Sequence, residues 1–362
     1  MNKSERIFYF DVLRVMAIIG IIFCHASIIY VVKDMGTPNF YFSAFYDCLR
    51  DFSVPIFVML SGALLIGKRD SLIHFFKKRL SRILIPFIFW AIISITYSFI
   101  NIKHSIDINH GLDIFFGHGG TMGVTFWFVW MIIIVYIGVF IINKIMEYGN
   151  KKREGFDKKF IGALAILSVA YIIMFQQHIF GSAYYSLLLS YYISFITFAI
   201  IGYWLVNTNF AENKVKPAML AIIAAILSAL LYISYICFYV IPTSIAKNHF
   251  TYLGYFTIQI LTISVCIFLM FKYLSKTEIF KKIEDKYGNI IISLSKYSYG
   301  IYLCHYLVLF NIKLFLSSYI DLTVQNSIVW IPLLVIITLI ISVMILWILN
   351  KIPYVKNITG IS

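Results

Sequence analysis

Ten apolar runs dominate the sequence, and each is long enough to cross the hydrocarbon core of a bilayer. A helix needs about 20 residues for this crossing, and helices are favoured because they satisfy their own backbone groups in lipid. Hydrophobic residues make up 61% of the chain and its mean hydropathy is +0.88, values that exclude a soluble globule. The predicted spans are 8–32, 41–67, 83–101, 125–146, 160–177, 188–206, 218–241, 251–271, 291–311 and 328–350. The sequence therefore predicts an all-α, polytopic transmembrane helical bundle of about ten helices, forming one membrane-embedded domain over residues 1–362 with no soluble domain.

The positive charges predict an orientation for this bundle. The formal net charge is +14, and most lysines and arginines lie in segments that share a side with the amino terminus. Cytoplasmic segments carry such an excess, so both termini are predicted to be cytoplasmic in a multi-pass protein of the cell membrane. Interaction with anionic membrane lipids accounts for the charge, and no nucleic-acid partner is predicted. Four lysines fall between spans on the other side, namely Lys33, Lys103, Lys247 and Lys313.

The cysteines and the loop histidines predict no metal site. The five cysteines all lie in apolar stretches and none forms a CxxC pair, a pattern typical of small reduced hydrophobic residues. The longest outer segment holds His104, His110 and His118. Their spacing matches no common zinc pattern, and the sequence suggests no cysteine or carboxylate partners at close range. A solvated loop is the favoured interpretation, and a part in receiving a polar substrate stays open.

Two ionisable side chains, Arg14 and His25, lie inside the first predicted span. They are eleven residues apart, about three helical turns, so they share a helix face and are separated by roughly 16 Å along the axis. Ionisable groups at such depth are costly and usually face a bundle interior or an aqueous cavity. Asp11 lies one turn before Arg14. The combination favours a functional site, with a snorkelling Arg14 and a buried neutral His25 as the structural alternative.

The second predicted span contains features that can shape its packing. Pro55 can bend the helix, and small residues such as Gly62 permit close approach of a neighbouring helix. Nearer the start of the span, Asp47, Arg50 and Asp51 fall at helical i, i+3 and i+4 spacing close to the outer surface. Mutual pairing of these three charges is favoured over a role in lining an outer entrance.

A basic segment, KRDSLIHFFKKRLSRILIPF, follows on the predicted cytoplasmic side. Lys77 and Lys78 are best interpreted as membrane-surface anchors. Arg79 and Arg82 are three residues apart and therefore share a helix face. Because a guanidinium group matches phosphate oxygens in two-point contacts, this pair is suited to a phosphorylated cytosolic ligand.

Four stretches of the sequence together resemble the acyltransferase 3 family of integral membrane acyltransferases, which modify surface glycans and related acceptors. They are FDVLRVMAIIGIIFCH, PIFVMLSGALL, KKRLSRILIPF and SKYSYGIYLCHYLVL, and FWFVWMIIIVY is a weaker fifth match. The matches extend from Asp11 to Leu309. The resemblance implies ten core helices, a cytoplasmic acyl-coenzyme A donor, most commonly acetyl-coenzyme A, and an acceptor hydroxyl on a cell-surface or lipid-linked glycan.

The resemblance also implies roles for individual residues. His25 corresponds to the catalytic histidine and Arg14 to its functional partner, while Arg79 and Arg82 correspond to donor-binding residues. Some family members carry a fused extracytoplasmic hydrolase-like domain, and the present sequence departs from them by stopping soon after the tenth predicted span. Transfer to such a domain in the same chain is therefore not expected, whereas a separate partner stays open.

Acyl transfer needs a base for the hydroxyl proton or a nucleophile to hold the acyl group, and a neutral imidazole can serve as either. Donor phosphates held at Arg79 and Arg82 would leave the pantetheine arm to extend towards His25. His305 lies nine residues after Lys296 and so reaches a similar depth at ~1.5 Å per residue. It is expected to orient the acceptor, or to bond His25 or the thioester oxygen, with a structural role equally open. The predicted substrate-binding or supporting residues are His305, Tyr302, Trp127, Ser61 and Asp11.

Two other functions fit parts of the sequence. A transporter or flippase for a glycan or lipid-linked precursor would also contain many spans and buried ionisable groups, although the lack of repeated halves argues modestly against many transporter folds. A structural membrane subunit explains neither the spacing of Arg14 and His25 nor the arginine pair. The acyl group, the acceptor and the oligomeric state are not specified by the sequence.

Overall fold

The computed structural model describes residues 6–33, 35–101, 108–118, 122–176, 188–209, 215–247, 254–322, 325–353 and 355–361. Within these residues every element is helical. The α-helices are α1 (Phe8–Lys33), α2 (Pro38–Asp47), α3 (Leu49–Leu65), α4 (Leu72–Asn101), α5 (Ile108–Phe116), α6 (Trp127–Lys152), α7 (Phe156–Gln176), α8 (Leu188–Ser194), α9 (Ile196–Asn207), α10 (Pro217–Tyr235), α11 (Ile241–Lys247), α12 (Ile258–Leu274), α13 (Glu278–Ser317) and α14 (Ser327–Lys351). A π-helical turn, Ile236–Val240, joins α10 to α11, and a 3₁₀ turn, Val355–Ile358, follows α14.

Seven segments of the described chain are long and apolar enough to cross a membrane. They are Phe8–Ile28, Pro38–Leu65, Leu72–Asn101, Trp127–Lys152, Pro217–Lys247, Glu278–Ser317 and Ser327–Lys351. The remaining predicted spans fall on α7, which has 21 residues, and on two shorter apolar helices, Tyr191–Asn207 and Ile258–Leu274. The helical fold is thus confirmed, whereas the total of ten crossings and the cytoplasmic side of the termini stay predictions.

The second predicted span is divided at Cys48 into α2 and α3. Helix α2 begins with Pro38 after Thr37, whose hydroxyl oxygen accepts the Phe40 N–H at 3.3 Å, a typical helix start. Pro55 lies inside α3 and does not end it. The division of the span lies seven residues before Pro55, at the junction of the two helices, and a bend at Pro55 stays a prediction.

Small residues bring α3 and α9 into backbone contact. A Cβ atom added at Gly62 would lie 1.9 Å from the Ala199 carbonyl oxygen, and one added at Gly202 would lie 2.2 Å from the Met59 carbonyl oxygen. Neither position has room for a side chain. The predicted role of Gly62 in close helix approach is confirmed, and Gly202 is its counterpart on α9.

Helix α13 is much longer than the predicted span 291–311. Its 40 residues correspond to about 60 Å at 1.5 Å per residue, twice the thickness of a hydrocarbon core. The Thr277 hydroxyl caps its start by accepting the Phe280 N–H at 3.3 Å. Because α13 packs along α1, it brings the motif containing Tyr302 and His305 against the helix that contains Arg14 and His25.

Candidate active site

A cavity of 400 Å³ lies between helices α1, α3, α4, α6 and α13. Five of the residues predicted from the sequence line it, although they come from four different helices. These residues are Arg14, Ser61, Arg79, Arg82 and Tyr302. Aromatic and aliphatic side chains, including Phe57 and Phe128, form much of the remaining wall. The cavity thus combines a few charged groups with an apolar interior, as small-molecule sites commonly do.

One end of the cavity, which we call the basic end, is formed by Lys68, Arg79 and Arg82. None of the described residues that line the cavity is acidic. The Nε atom of Arg79 is buried and has no hydrogen-bond partner among the described residues. Burial lowers the pKa of Lys68, and the positive charge of Arg79 lowers it further. These are the properties of a site that would be stabilised by an anion.

Arg14 forms an ion pair with a buried carboxylate at the start of α1. Asp11 is 1% exposed and accepts a hydrogen bond from Arg14 Nη1 at 3.4 Å. It also accepts hydrogen bonds from Arg6 Nε at 2.7 Å and from Ser295 Oγ on α13 at 2.6 Å. The sequence-predicted proximity of Asp11 and Arg14 is confirmed, and Arg6 makes the shorter ion pair. Asp11 therefore supports Arg14 and links α1 to α13.

The two histidines inside the bundle lie next to each other. The ring centroids of His25 and His305 are 5.4 Å apart, and Tyr306 packs edge-on against His25 at 5.2 Å. Tyr302 lines the cavity, and its ring centroid is 5.9 Å from that of His305. Within the described residues His25 does not line the cavity itself. Tyr302 thus connects the cavity with the histidine pair.

Hydrogen bonds fix the position of this pair. The Tyr302 hydroxyl donates to the Thr125 carbonyl. Lys313 Nζ on α13 donates to the His25 backbone carbonyl at 2.7 Å. These bonds, together with the ring contacts, hold the histidine pair between the neighbouring helices.

A second group of charges lies near His25 on α2 and α3. Arg50 is 3.5 Å from both the Asp47 and the Asp51 carboxylates, which are 2% and 0% exposed. Tyr235 on α10 donates to Asp51 at 2.8 Å. The predicted mutual pairing of these charges is confirmed. The network has two buried carboxylates around a half-buried arginine, and it joins α2, α3 and α10.

Other residues singled out in the sequence lie elsewhere. Trp127 stands at the start of α6, where it packs on Tyr192 and Tyr255, and it does not line the cavity described above. Among the loop histidines, His104 lies outside the described residues. His118 Nδ1 is 2.7 Å from Asp113 Oδ1, so the expectation that this residue lacks a carboxylate partner was wrong. Groups of three or more potential metal ligands do not occur within the described part of the chain.

Five polar residues of the cavity were not predicted from the sequence. They are Lys68, Tyr136, Ser295, Ser298 and Tyr299. Those on α13 follow the spacing 295, 298 and 299, which continues to Tyr302 on one helix face. This periodicity is visible in the sequence and could have identified them.

Comparison with known proteins identifies one family across nearly the whole chain. The model of the acyltransferase domain family matches residues 7–347. A curated protein, the nodulation protein NolL of Sinorhizobium fredii, is 26% identical over 134 residues, which cover 36% of this chain and 35% of NolL. The match thus spans about a third of that relative's length. No solved structure matches the chain.

Proposed function

The chain belongs to the acyltransferase family whose model matches residues 7–347, and on this basis we propose that it is an integral membrane O-acyltransferase. The proposed donor is cytoplasmic acyl-coenzyme A, in the first instance acetyl-coenzyme A. The proposed acceptor is a hydroxyl group of a cell-surface or lipid-linked glycan. The observation that carries the proposal is the cavity that begins at Lys68, Arg79 and Arg82 and reaches Tyr302 beside the histidine pair.

The charge distribution of the cavity supports a phosphorylated donor. Arginine forks bind phosphate oxygens in pairs, and the described lining contains no carboxylate that would compete for them. We therefore assign the donor's phosphates to Arg79 and Arg82, with Lys68 as a further cation at the same end. The apolar walls beyond them suit the slender pantetheine arm, since only uncharged atoms would pass Phe57 and Phe128.

His25 is the proposed catalytic residue. As a base it takes the proton of the acceptor hydroxyl while the hydroxyl oxygen bonds to the thioester carbonyl carbon. The carbon–sulfur bond then breaks, and the coenzyme A thiolate takes the proton from His25. A covalent acyl-histidine followed by attack of the hydroxyl gives the same products. Arg14, held by Asp11, adds a positive charge to the cavity wall between donor and acceptor.

The decisive experiment follows acyl groups with purified protein in liposomes. Radiolabelled acetyl-coenzyme A should be consumed and label should appear in a glycan acceptor, with His25→Ala inactive. His110→Ala is the matched control, since His110 bonds Ser98 at 2.9 Å and does not line the cavity. Movement of a lipid-linked precursor across the bilayer without donor consumption would instead indicate a transporter. Mass spectrometry of surface glycans with and without the protein identifies the acyl group and the acceptor.

A further inference from the structure

His305 is held in one tautomer by the backbone of its own helix. Its side chain is 0% exposed. The Nδ1 atom lies 3.0 Å from the Ile301 carbonyl oxygen and 2.7 Å from the Tyr302 carbonyl oxygen. Both oxygens are acceptors, so Nδ1 must carry the hydrogen. In the neutral ring the lone pair therefore resides on Nε2.

This Nε2 atom is a buried acceptor that lacks a donor. It has no hydrogen-bond partner among the described residues. The nearby Tyr302 hydroxyl is already committed to the Thr125 carbonyl. Leaving a buried acceptor unpaired is costly, and such atoms usually indicate a partner or a function.

His25 is suited to supply the missing donor. His25 is half-buried, and its ring lies 5.4 Å from that of His305, centroid to centroid. Two imidazole rings that share an N–H···N hydrogen bond of ~3 Å have centroids ~5 Å apart. The observed separation of 5.4 Å is close to this value, and the pairing requires a rotation of the His25 ring that turns one of its nitrogens towards His305 Nε2. Lys313 holds the His25 backbone in place through its carbonyl.

We propose that His305 is a positioning residue for His25. By accepting the N–H of one His25 nitrogen, it places the lone pair on the other nitrogen, where the acceptor hydroxyl is deprotonated. This proposal rests on the proposed function. When His25 takes the hydroxyl proton, its hydrogen bond to His305 becomes charge-assisted and therefore stronger. The proton passes on to the coenzyme A thiolate, and His305 begins and ends the cycle neutral.

Two amide substitutions at His305 separate this role from packing. The amide of His305→Asn reaches the place of Nδ1 and keeps only the backbone hydrogen bond, whereas His305→Gln places its amide oxygen near the position of Nε2. We expect His305→Asn to lower kcat about ten- to a hundredfold, the equivalent of one hydrogen bond to a charged group. His305→Gln should retain kcat within about fivefold, and KM for the donor should change little in either. Cys304→Ala, also 0% exposed on α13, is the control for burial and should leave kcat unchanged.

Equal loss in the asparagine and glutamine variants, or a loss confined to KM, would overturn the proposal. A second readout needs no turnover. In protein labelled with ¹⁵N-histidine, the His25 ring should occupy one tautomer in the wild type and both in His305→Asn. A mixed population in the wild type contradicts the proposal even where the variants fail to fold. If the wild-type protein shows one His25 tautomer but consumes no acyl-coenzyme A, the pairing stands and the proposed function falls.

Discussion

At the scale of single residues, donor binding and chemistry are assigned to different parts of the bundle. Arg79 and Arg82 line the basic end of the cavity. His25 lies beside His305 and beyond Tyr302. Substitutions at the two places should therefore have different kinetic effects.

His25→Ala is expected to reduce turnover by ~10²–10⁴ or more while coenzyme A affinity stays near normal, because only the catalytic imidazole is lost.

Arg82→Ala should instead weaken donor binding about tenfold or somewhat more, since it loses a charge-assisted hydrogen bond. Lysine at position 82 should restore binding only in part because it lacks the planar fork. Titration of acyl-coenzyme A against the folded variants measures both effects. Lys77→Ala controls for net charge, since Lys77 is exposed and does not line the cavity.

Full turnover in His25→Ala, together with inactivity of Arg82→Ala at unchanged donor affinity, would contradict this division. A substitution of Arg14 would be a less direct test of this division, because Arg14 also belongs to the ion pair with Asp11.

The charged residues of the site were easier to predict than its neutral ones. Arg14, Arg79 and Arg82 stand out in the sequence because charge inside or beside an apolar run is rare. Ser295 and Tyr136 carry no charge, and serine and tyrosine are common in membrane helices, so the only sequence signal was the helical spacing that Ser295 shares with Ser298 and Tyr302. Their place in the site depends on contacts between distant segments, such as the hydrogen bond from Ser295 to Asp11. The orphan Nε2 of His305 likewise follows from the local helix geometry and could not be seen in the sequence.

At the scale of helices, the contact between α3 and α9 determines how Ser61 faces the cavity. Ser61 lines the cavity, whereas its neighbour Gly62 lies against the backbone of α9. The apolar sequence predicted that a close contact would form here, but not which helix would provide it. Similarly, the break at Cys48 has no proline or glycine signal, so it follows from packing rather than from local propensity.

Gly62→Ala should destabilise the bundle, because the added methyl group would lie 1.9 Å from the Ala199 carbonyl oxygen. We expect a loss of about 1–3 kcal/mol in the free energy of unfolding, as for other overpacked positions, and a lower Tm in thermal denaturation in detergent. Gly162→Ala on α7 is the matched control, since no atom lies within 4 Å of its added Cβ. That change should be neutral or slightly stabilising. Equal Tm values for the two variants would mean that α3 and α9 are not in backbone contact.

At the scale of the whole molecule, both ends of the described chain meet the same part of α13. Asp11, near the start of α1, bonds Ser295, and Gly360 lies against Gly300 five residues later. An even number of crossings returns a chain to the side from which it started. The seven long spans together with α7 and the two shorter apolar helices would give ten, which agrees with this arrangement.

The basic end of the cavity and the loop between α6 and α7 lie at one end of the bundle. Asn143 on α6 accepts from the Gly67 N–H at 2.7 Å and donates to the Leu65 carbonyl at 2.9 Å. A crevice of 90 Å³ beside it is lined by Lys68, Asn150 and Asp157. A cysteine introduced into this loop therefore shows which side of the membrane the basic end faces, and so the side on which the donor must bind.

A cysteine introduced at Glu154, an exposed residue of this loop, should resist an impermeant thiol reagent applied to intact cells. One introduced at Gly119 should react, because α4 runs from the basic end to the opposite end before the segment that contains residue 119. Gly119 itself lies outside the described residues. Cys237 is exposed and should be replaced by serine in the parent protein, while permeabilised cells provide the control for reactivity at Glu154. Labelling of Glu154→Cys from outside, with Gly119→Cys protected, would place Arg79 and Arg82 on the side that lacks acyl-coenzyme A and would refute the proposed donor path.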